Sequence, residues 1–349
     1  MRIKPFFNKT PFLIAGPCSA ESENQLVDTA LKISNHIDVF RAGIWKPRTN
    51  PSSYHGAGDI GLKWLNKIQD RIKKPVMTEV ANAKHVEKCL KANIDMLWIG
   101  ARTTVNPFYV EEIAQALKGV NIPIFVKNPI HPELGLWIGA FERLNKAGVS
   151  KLGAIHRGFF SYQGDVFRND PKWEIPIKLK KEHLDLPIIC DPSHIAGNRR
   201  FVQEISQTAL DLNMNGLMIE SHTNPDEALS DSIQQISPSN FISIIKQINL
   251  KKSKIEEKDI ITKIVKMRNK IDLLDKNIAQ ILNKRQEIVQ LIGKIKKEKK
   301  ITIFQIERWN QILKQRSLEA KTLNLDEDML REIFELIHKY AILSQTKQK

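Results

Sequence analysis

The sequence predicts an α/β domain closed as a (β/α)8 barrel, the TIM-barrel architecture, followed by a smaller all-α domain. Three observations carry this reading. Between residues 11 and 250, short apolar runs alternate with amphipathic stretches eight times, the rhythm of an eight-unit barrel. Polar and charged residues gather at or just after the ends of those apolar runs. Beyond a polar stretch the apolar spacing changes to steps of four and three, which is helical. The boundaries read as 1–250 for the barrel, 251–258 for a linker and 259–349 for the helical domain. A doubly wound sheet is the competing architecture, but it seldom needs eight consecutive units.

The predicted strands are 12–15, 39–42, 76–79, 96–100, 124–127, 153–156, 188–190 and 216–220. Helix-like stretches lie at 24–34, 60–72, 83–92, 109–117, 134–147, 201–212 and 239–248. The second strand opens into a loop that holds Arg41, Lys46 and Arg48 within eight residues. Pro47 stiffens that loop, and Pro51, Gly56 and Gly58 keep the next segment irregular. A planar guanidinium suits bidentate capture of phosphate or carboxylate, and a lysine adds a compact charge. A rigid, cation-dense loop on a buried strand therefore reads as a site for a small polyanion. The bland reading is a solvated basic loop.

Cys18, Lys46, Glu79, Arg102, Lys127, Arg157, His194 and Glu220 all fall at or just past successive strand ends. A barrel brings that rim together into one site. By itself Cys18 would be a buried thiol, and His194 a hydrogen-bonded core imidazole. With Glu220 and Asp231 on the same rim they form a thiol, imidazole and carboxylate set. Such a set suits a borderline divalent ion such as manganese, iron, cobalt or zinc.

The chain has 349 residues and a net charge of +15. Residues 251–349 hold 24 Lys+Arg against 14 Asp+Glu, so the basic excess lies mostly in the helical part. That balance is compatible with nucleic acid, but aromatics are sparse there and no nucleic-acid motif is present. No apolar run is long enough to span a bilayer. Three scattered cysteines make no disulfide framework, and the amino terminus has no signal-peptide pattern. A cytoplasmic protein with neither nucleic-acid nor membrane partners is expected.

In the helical part, Ile260, Ile264, Met267, Ile271, Leu274, Ile278, Ile281, Ile288, Ile292 and Ile295 form one seam, interrupted by Arg285. Further helices are expected at 306–317 and 327–344, separated by 321–325. A long helix cannot bury such a seam alone, so a homodimer through this domain is expected. Lys296 lies close to three turns beyond Arg285 and shares its face, whereas Arg268 is a quarter turn away and faces a partner helix. Gln345 continues the row Met329, Ile333, Ile337, Ala341. Two cations and an amide on apolar rows describe a small site for a dianion; the plainer reading of Arg285 is a register-setting seam residue.

Gly16-Pro-Cys-Ser19, Lys46-Pro-Arg-Thr49, Gly100-Ala-Arg-Thr103, Lys127, Arg157-Gly158, Asp191-Pro-Ser-His194 and the Glu220/Asp231 pair together resemble a 3-deoxy-D-arabino-heptulosonate 7-phosphate (DAHP) synthase, of the short type I form. The resemblance implies condensation of phosphoenolpyruvate with erythrose 4-phosphate at a divalent metal, the first step of the shikimate pathway. It assigns the metal to Cys18, His194, Glu220 and Asp231, and phosphoenolpyruvate to Arg41, Lys46, Arg102, Lys127 and Arg157. Arg48 and Thr49 would hold the aldose phosphate, and Lys46 would donate a proton to the developing alkoxide. A related synthase of 3-deoxy-octulosonate 8-phosphate typically has Asn-Arg-Thr where this chain has Lys-Pro-Arg-Thr.

Residues 258–347 resemble an all-helical chorismate mutase, through Met267-Arg-Asn-Lys-Ile-Asp-Leu-Leu-Asp275, Lys284-Arg285 and Gly293-Lys-Ile-Lys296. That resemblance implies a bifunctional enzyme that also rearranges chorismate to prephenate. Arg285, Arg308 and the partner subunit's Arg268 would hold carboxylates, and Lys296 and Gln345 would stabilise charge on the ether oxygen. The family often has Asp at the position of Gln305 and Glu at that of Trp309, the latter contacting the substrate hydroxyl. A tail that binds chorismate or prephenate without turnover and regulates the barrel is the alternative.

Overall fold

The computed structural model describes residues 1, 3–4, 6–7, 9–48, 50–162, 166–251 and 257–346. They fall into two compact units, Met1–Ser253 and Lys254–Lys349. In the first, strands β1 (Phe12–Gly16), β2 (Val39–Arg41), β3 (Val76–Val80), β4 (Met96–Ile99), β5 (Ile124–Lys127), β6 (Leu152–His156), β7 (Ile188–Cys190) and β8 (Gly216–Glu220) close a parallel barrel in sequence order. Around it run α1 (Glu23–Ile33), α2 (Ile60–Ile72), α3 (Ala83–Lys91), α4 (Ala101–Thr104), α5 (Pro107–Ala116), α6 (Leu134–Lys146), α7 (Glu174–Glu182), α8 (Pro192–Ala196), α9 (Val202–Asp211) and α10 (Pro238–Gln247).

Alternation along each strand divides the core in two. Phe12, Ile14, Val39, Met77, Trp98, Phe125, Ile155, Ile189 and Met218 pack together as one buried cluster, the barrel interior. Their neighbours, such as Leu13, Phe40, Leu97, Val126 and Leu217, face the helices. Phe6 and Phe7 pack on Phe125 and Phe12 and cover the amino-terminal end of the barrel. The opposite rim is left for chemistry. Register fixes which residues meet there: Gly16 pairs with Glu220, and His156 with Cys190, so Cys18 emerges beside Glu220 and Arg157 beside Asp191.

The helix α7 is absent from the sequence expectation. Its Pro176 argues against a helix, but it sits in the first turn, where no intrahelical bond is lost. His156 faces outward rather than toward the rim, packed among Trp137, Phe159 and Trp173. The three cysteines are free and buried. Among the described residues no helix is long and apolar enough to cross a membrane.

Among its described residues the second unit has three helices, α11 (Lys258–Glu298), α12 (Ile306–Leu323) and α13 (Glu327–Thr346), and α13 packs against both of the others. α12 runs further than its apolar spacing implies and ends at Asn324, whose left-handed φ of 53° terminates the helix. Along α11 the seam stands open: Ile271, Leu274, Ile278, Ile281, Ile288 and Ile295 are each at least 55% exposed in the single chain.

Candidate active site

The strand β1 ends at Gly16, whose φ of 150° and close approach to the Arg41 carbonyl leave no room for a side chain. The chain then turns and sets Cys18 under the rim, its N–H donated to Gln235. Cys18 Sγ lies 3.1 Å from Asp231 Oδ2, and Lys46 Nζ donates to both the Sγ and the carbonyl of Cys18 at 3.1 Å. Gly43 permits this approach; a Cβ there would stand 3.0 Å from Lys46 Cδ. Burial, with Glu220 adding to it, pushes the Cys18 thiol up to about 12. Only a strong cation at this point would make the thiolate the stable form.

The Sγ of Cys18 and carboxylate oxygens of Glu220 and Asp231 all lie within 4.8 Å of one another. His194 does not complete that cluster, but its Nδ1 is 3.8 Å from Glu220 Oε1. The same Nδ1 is 2.8 Å from Asp191 Oδ2, so Asp191 holds the buried ring in place. Asp191 caps α8 by accepting the His194 N–H and also binds Lys127 Nζ at 2.8 Å. Burial opposes ionisation of Glu220, but His194 and Arg41 bring its pKa down to about 2. Because burial lowers the His194 pKa, Arg41 is the permanent charge of the two.

Arg41 is 1% exposed and takes no part in the open cavity. It donates to Glu220 Oε1 at 2.7 Å and to the Cys18 carbonyl at 3.3 Å, with its guanidinium 4.7 Å from the Trp98 ring centre. Above it opens a cavity of about 290 Å³ lined by Lys46, Arg48, Arg102, Lys127, Arg157 and Arg168, with Glu79, His194 and Asp231. Arg48 Nη1 stands 3.9 Å from Asp231, and Arg157 donates to Asn169 at 2.7 Å. Six cations against so few open carboxylates make a pocket for a multiply charged anion. Thr49 lies outside the described residues.

Several participants escape a sequence reading. Arg168, in the irregular segment after β6, donates to Asp231 at 3.0 Å and to Gln234 at 2.8 Å. Gln234 donates to Glu220 at 2.7 Å, and Gln235 joins Cys18 to the Ser230 carbonyl. Nothing in spacing separates a charged or amide loop residue of this kind from a solvated one. Asp191 could have been found, since a carboxylate before Pro-Ser-His is a ready cap and imidazole partner.

In the helical unit Arg285 is half-buried on α11, and its charge and that of Lys296 both act on His338 of α13. Lys296 Nζ donates to the Ile303 carbonyl at 2.7 Å. Gln345 lies two turns beyond His338 on the same helix face. Arg308 is exposed and donates to Gln311. Arg268 is exposed too, and a straight helix sets it roughly 25 Å from Arg285, so one chain does not bring the two together. Trp309 lies flat on the His338 ring, 4.0 Å between centres.

The model of the DAHP synthetase I family matches residues 7–257, and that of chorismate mutase type II matches residues 267–346. The chain is 30% identical over 237 residues to the phospho-2-dehydro-3-deoxyheptonate aldolase of Thermotoga maritima, covering 68% of each. With the 2-dehydro-3-deoxyphosphooctonate aldolase of Desulfotalea psychrophila it shares 28% identity, over 70% of this chain and 91% of that protein. The crystal structure of the Thermotoga maritima aldolase superposes with a TM-score of 0.62 at 29% identity, over 68% of each chain. The chain therefore belongs to the DAHP synthetase I family and carries a chorismate mutase type II domain behind its barrel.

Proposed function

We propose that the barrel condenses phosphoenolpyruvate with erythrose 4-phosphate to DAHP, and that the helical domain rearranges chorismate to prephenate. The observation that carries the first half is the single cavity in which six cations face the Cys18, Glu220 and Asp231 cluster. Phosphoenolpyruvate brings a phosphate and a carboxylate, and buried cations offset their desolvation. Lys127, Arg102 and Arg157 hold that ligand, while Arg48 and Thr49 take the aldose phosphate. The Lys-Pro-Arg-Thr loop favours the four-carbon aldose over the longer sugar of the octulosonate relatives.

The donor set fits a divalent ion, because a thiol and two carboxylates converge beside the buried imidazole of His194. Cys18, Glu220, Asp231 and His194 would hold it, and when bound it supplies Lewis-acid activation of the aldehyde. Lys46 Nζ, already donating to Cys18 Sγ, is placed to deliver a proton to the developing alkoxide. Arg41 pins the Glu220 carboxylate in its acceptor orientation.

For the helical domain, Arg285 and Lys296 and the partner subunit's Arg268 fit the two carboxylates and ether oxygen of chorismate. Catalysis there is positioning and preorganised charge, with no covalent step. The exposed isoleucine seam of α11 supports a homodimer that completes the site. A second reading, a non-catalytic prephenate-binding regulatory module, is favoured by Trp309, which stands where a carboxylate would contact the hydroxyl. Loss of chorismate absorbance on adding the full-length protein decides between them. Rapid loss with prephenate formed supports the mutase. No loss, with phosphoenolpyruvate and aldose still consumed, makes the domain a sensor.

A further inference from the structure

Two polar side-chain atoms on α13, His338 Nε2 and Gln345 Oε1, are shielded from solvent and have no partner among the described residues. They stand seven residues apart, two helical turns, and so share one face. Ala341, buried, lies between them. Arg285 and Lys296 of α11 act on the His338 ring. From α12, Trp309 covers the ring at 4.0 Å and 15°, and Phe304 approaches it at 5.9 Å. The stack explains the ring's orientation. It does not explain a buried nitrogen with nothing to bond, since native structures rarely leave one.

Arg285 and Lys296 recognise negative charge. An unsatisfied neutral His338 nitrogen beside them, with Gln345 Oε1 unsatisfied on the same helix face, calls for a ligand that also carries neutral oxygen. Trp309 offers an indole N–H and no acceptor, so α12 does not supply the contact at that position. We infer that His338 Nε2 accepts from the hydroxyl of a dicarboxylate ligand such as chorismate, and so supplies from α13 the acceptor that Trp309 lacks. The inference rests on reading this domain as a chorismate site. Burial, with Arg285 and Lys296 acting the same way, lowers the His338 pKa, so the ring is the neutral donor–acceptor that a hydroxyl needs.

The test uses the full-length protein and two probes, chorismate and its analogue with hydrogen in place of the hydroxyl. Affinities for wild type, His338→Leu and His338→Asn are measured by calorimetry where a probe is not turned over and from initial-rate KM where it is. Wild type is expected to prefer chorismate by about tenfold, the value of one buried hydrogen bond. His338→Leu should weaken chorismate binding, leave the analogue nearly unchanged and erase the preference. His338→Asn, which keeps a polar terminus, should restore part of it. An undiminished preference in His338→Leu, or equal weakening of both probes, overturns the assignment and leaves packing as the role of His338. A wild type that binds neither probe overturns the chorismate reading itself, and the assignment with it.

Discussion

Arg41→Met separates holding a ligand from touching a substrate. Sequence places Arg41 among cations for phosphoenolpyruvate, but the structure puts it beneath the cavity, 2.7 Å from a wholly buried Glu220. Methionine keeps the aliphatic stem and the contact with Trp98, so little packing is lost. The carboxylate keeps its bond from Gln234 Nε2 at 2.7 Å but loses its charged partner. Breaking one side of a buried pair costs about 3–5 kcal/mol. Urea unfolding of the metal-free full chain, followed by tryptophan fluorescence, reads this directly, because five of its six tryptophans lie in the barrel. In wild type the Glu220 pKa is lowered, so its contribution is complete above the ordinary carboxylate range and lost as pH falls through about 2. Without Arg41, one of the charges that lower it is gone and the pKa rises. The deficit should be largest at neutral pH and shrink toward pH 5. A loss at neutral pH of only about 1 kcal/mol, the value of an exposed pair, with no such pH trend, would refute this reasoning.

Lys46→Ala should lower kcat of the condensation by about 10²–10⁴-fold, checked by steady-state consumption of phosphoenolpyruvate; a fall under about tenfold assigns the proton elsewhere. Gly43→Val places a Cβ 2.9 Å from the Cys18 carbonyl and 3.0 Å from Lys46 Cδ, so it should impair the reaction and destabilise the barrel by about 1–3 kcal/mol in urea. His156 is driven down to about 3, first by burial, so the unfolded chain binds a proton below about 6.5 that the native barrel refuses. Stability should therefore fall on acidification by about 1.4 kcal/mol per pH unit from this residue, a slope that His156→Phe should remove when urea midpoints are compared at pH 7 and 5.

The barrel was legible because buried parallel strands are short apolar runs, and their carboxyl ends expose chemistry that a core would not tolerate. Cys18, Lys46, Lys127, His194 and Glu220 stand out as candidates that way. The direction in which Arg41 points could not, since alternation along a strand of three residues does not tell a pocket-facing cation from one turned onto a buried carboxylate. Arg168, Gln234 and Gln235 were hidden for another reason. They lie in irregular segments, where position depends on tertiary closure and not on any repeat. In the helical domain the seam was plain in its steps of four and three, but the pairing of His338 with Trp309 joins different helices and leaves no mark in spacing.

The cationic cavity and the Cys18 cluster are proposed to form one condensing site. The most direct test of that proposal is consumption of phosphoenolpyruvate by the full-length protein with erythrose 4-phosphate and manganese, for wild type and Cys18→Ala. Wild type should consume both substrates in equimolar amounts, and neither should be consumed by Cys18→Ala or after chelation. Consumption by Cys18→Ala at the wild-type rate would contradict it.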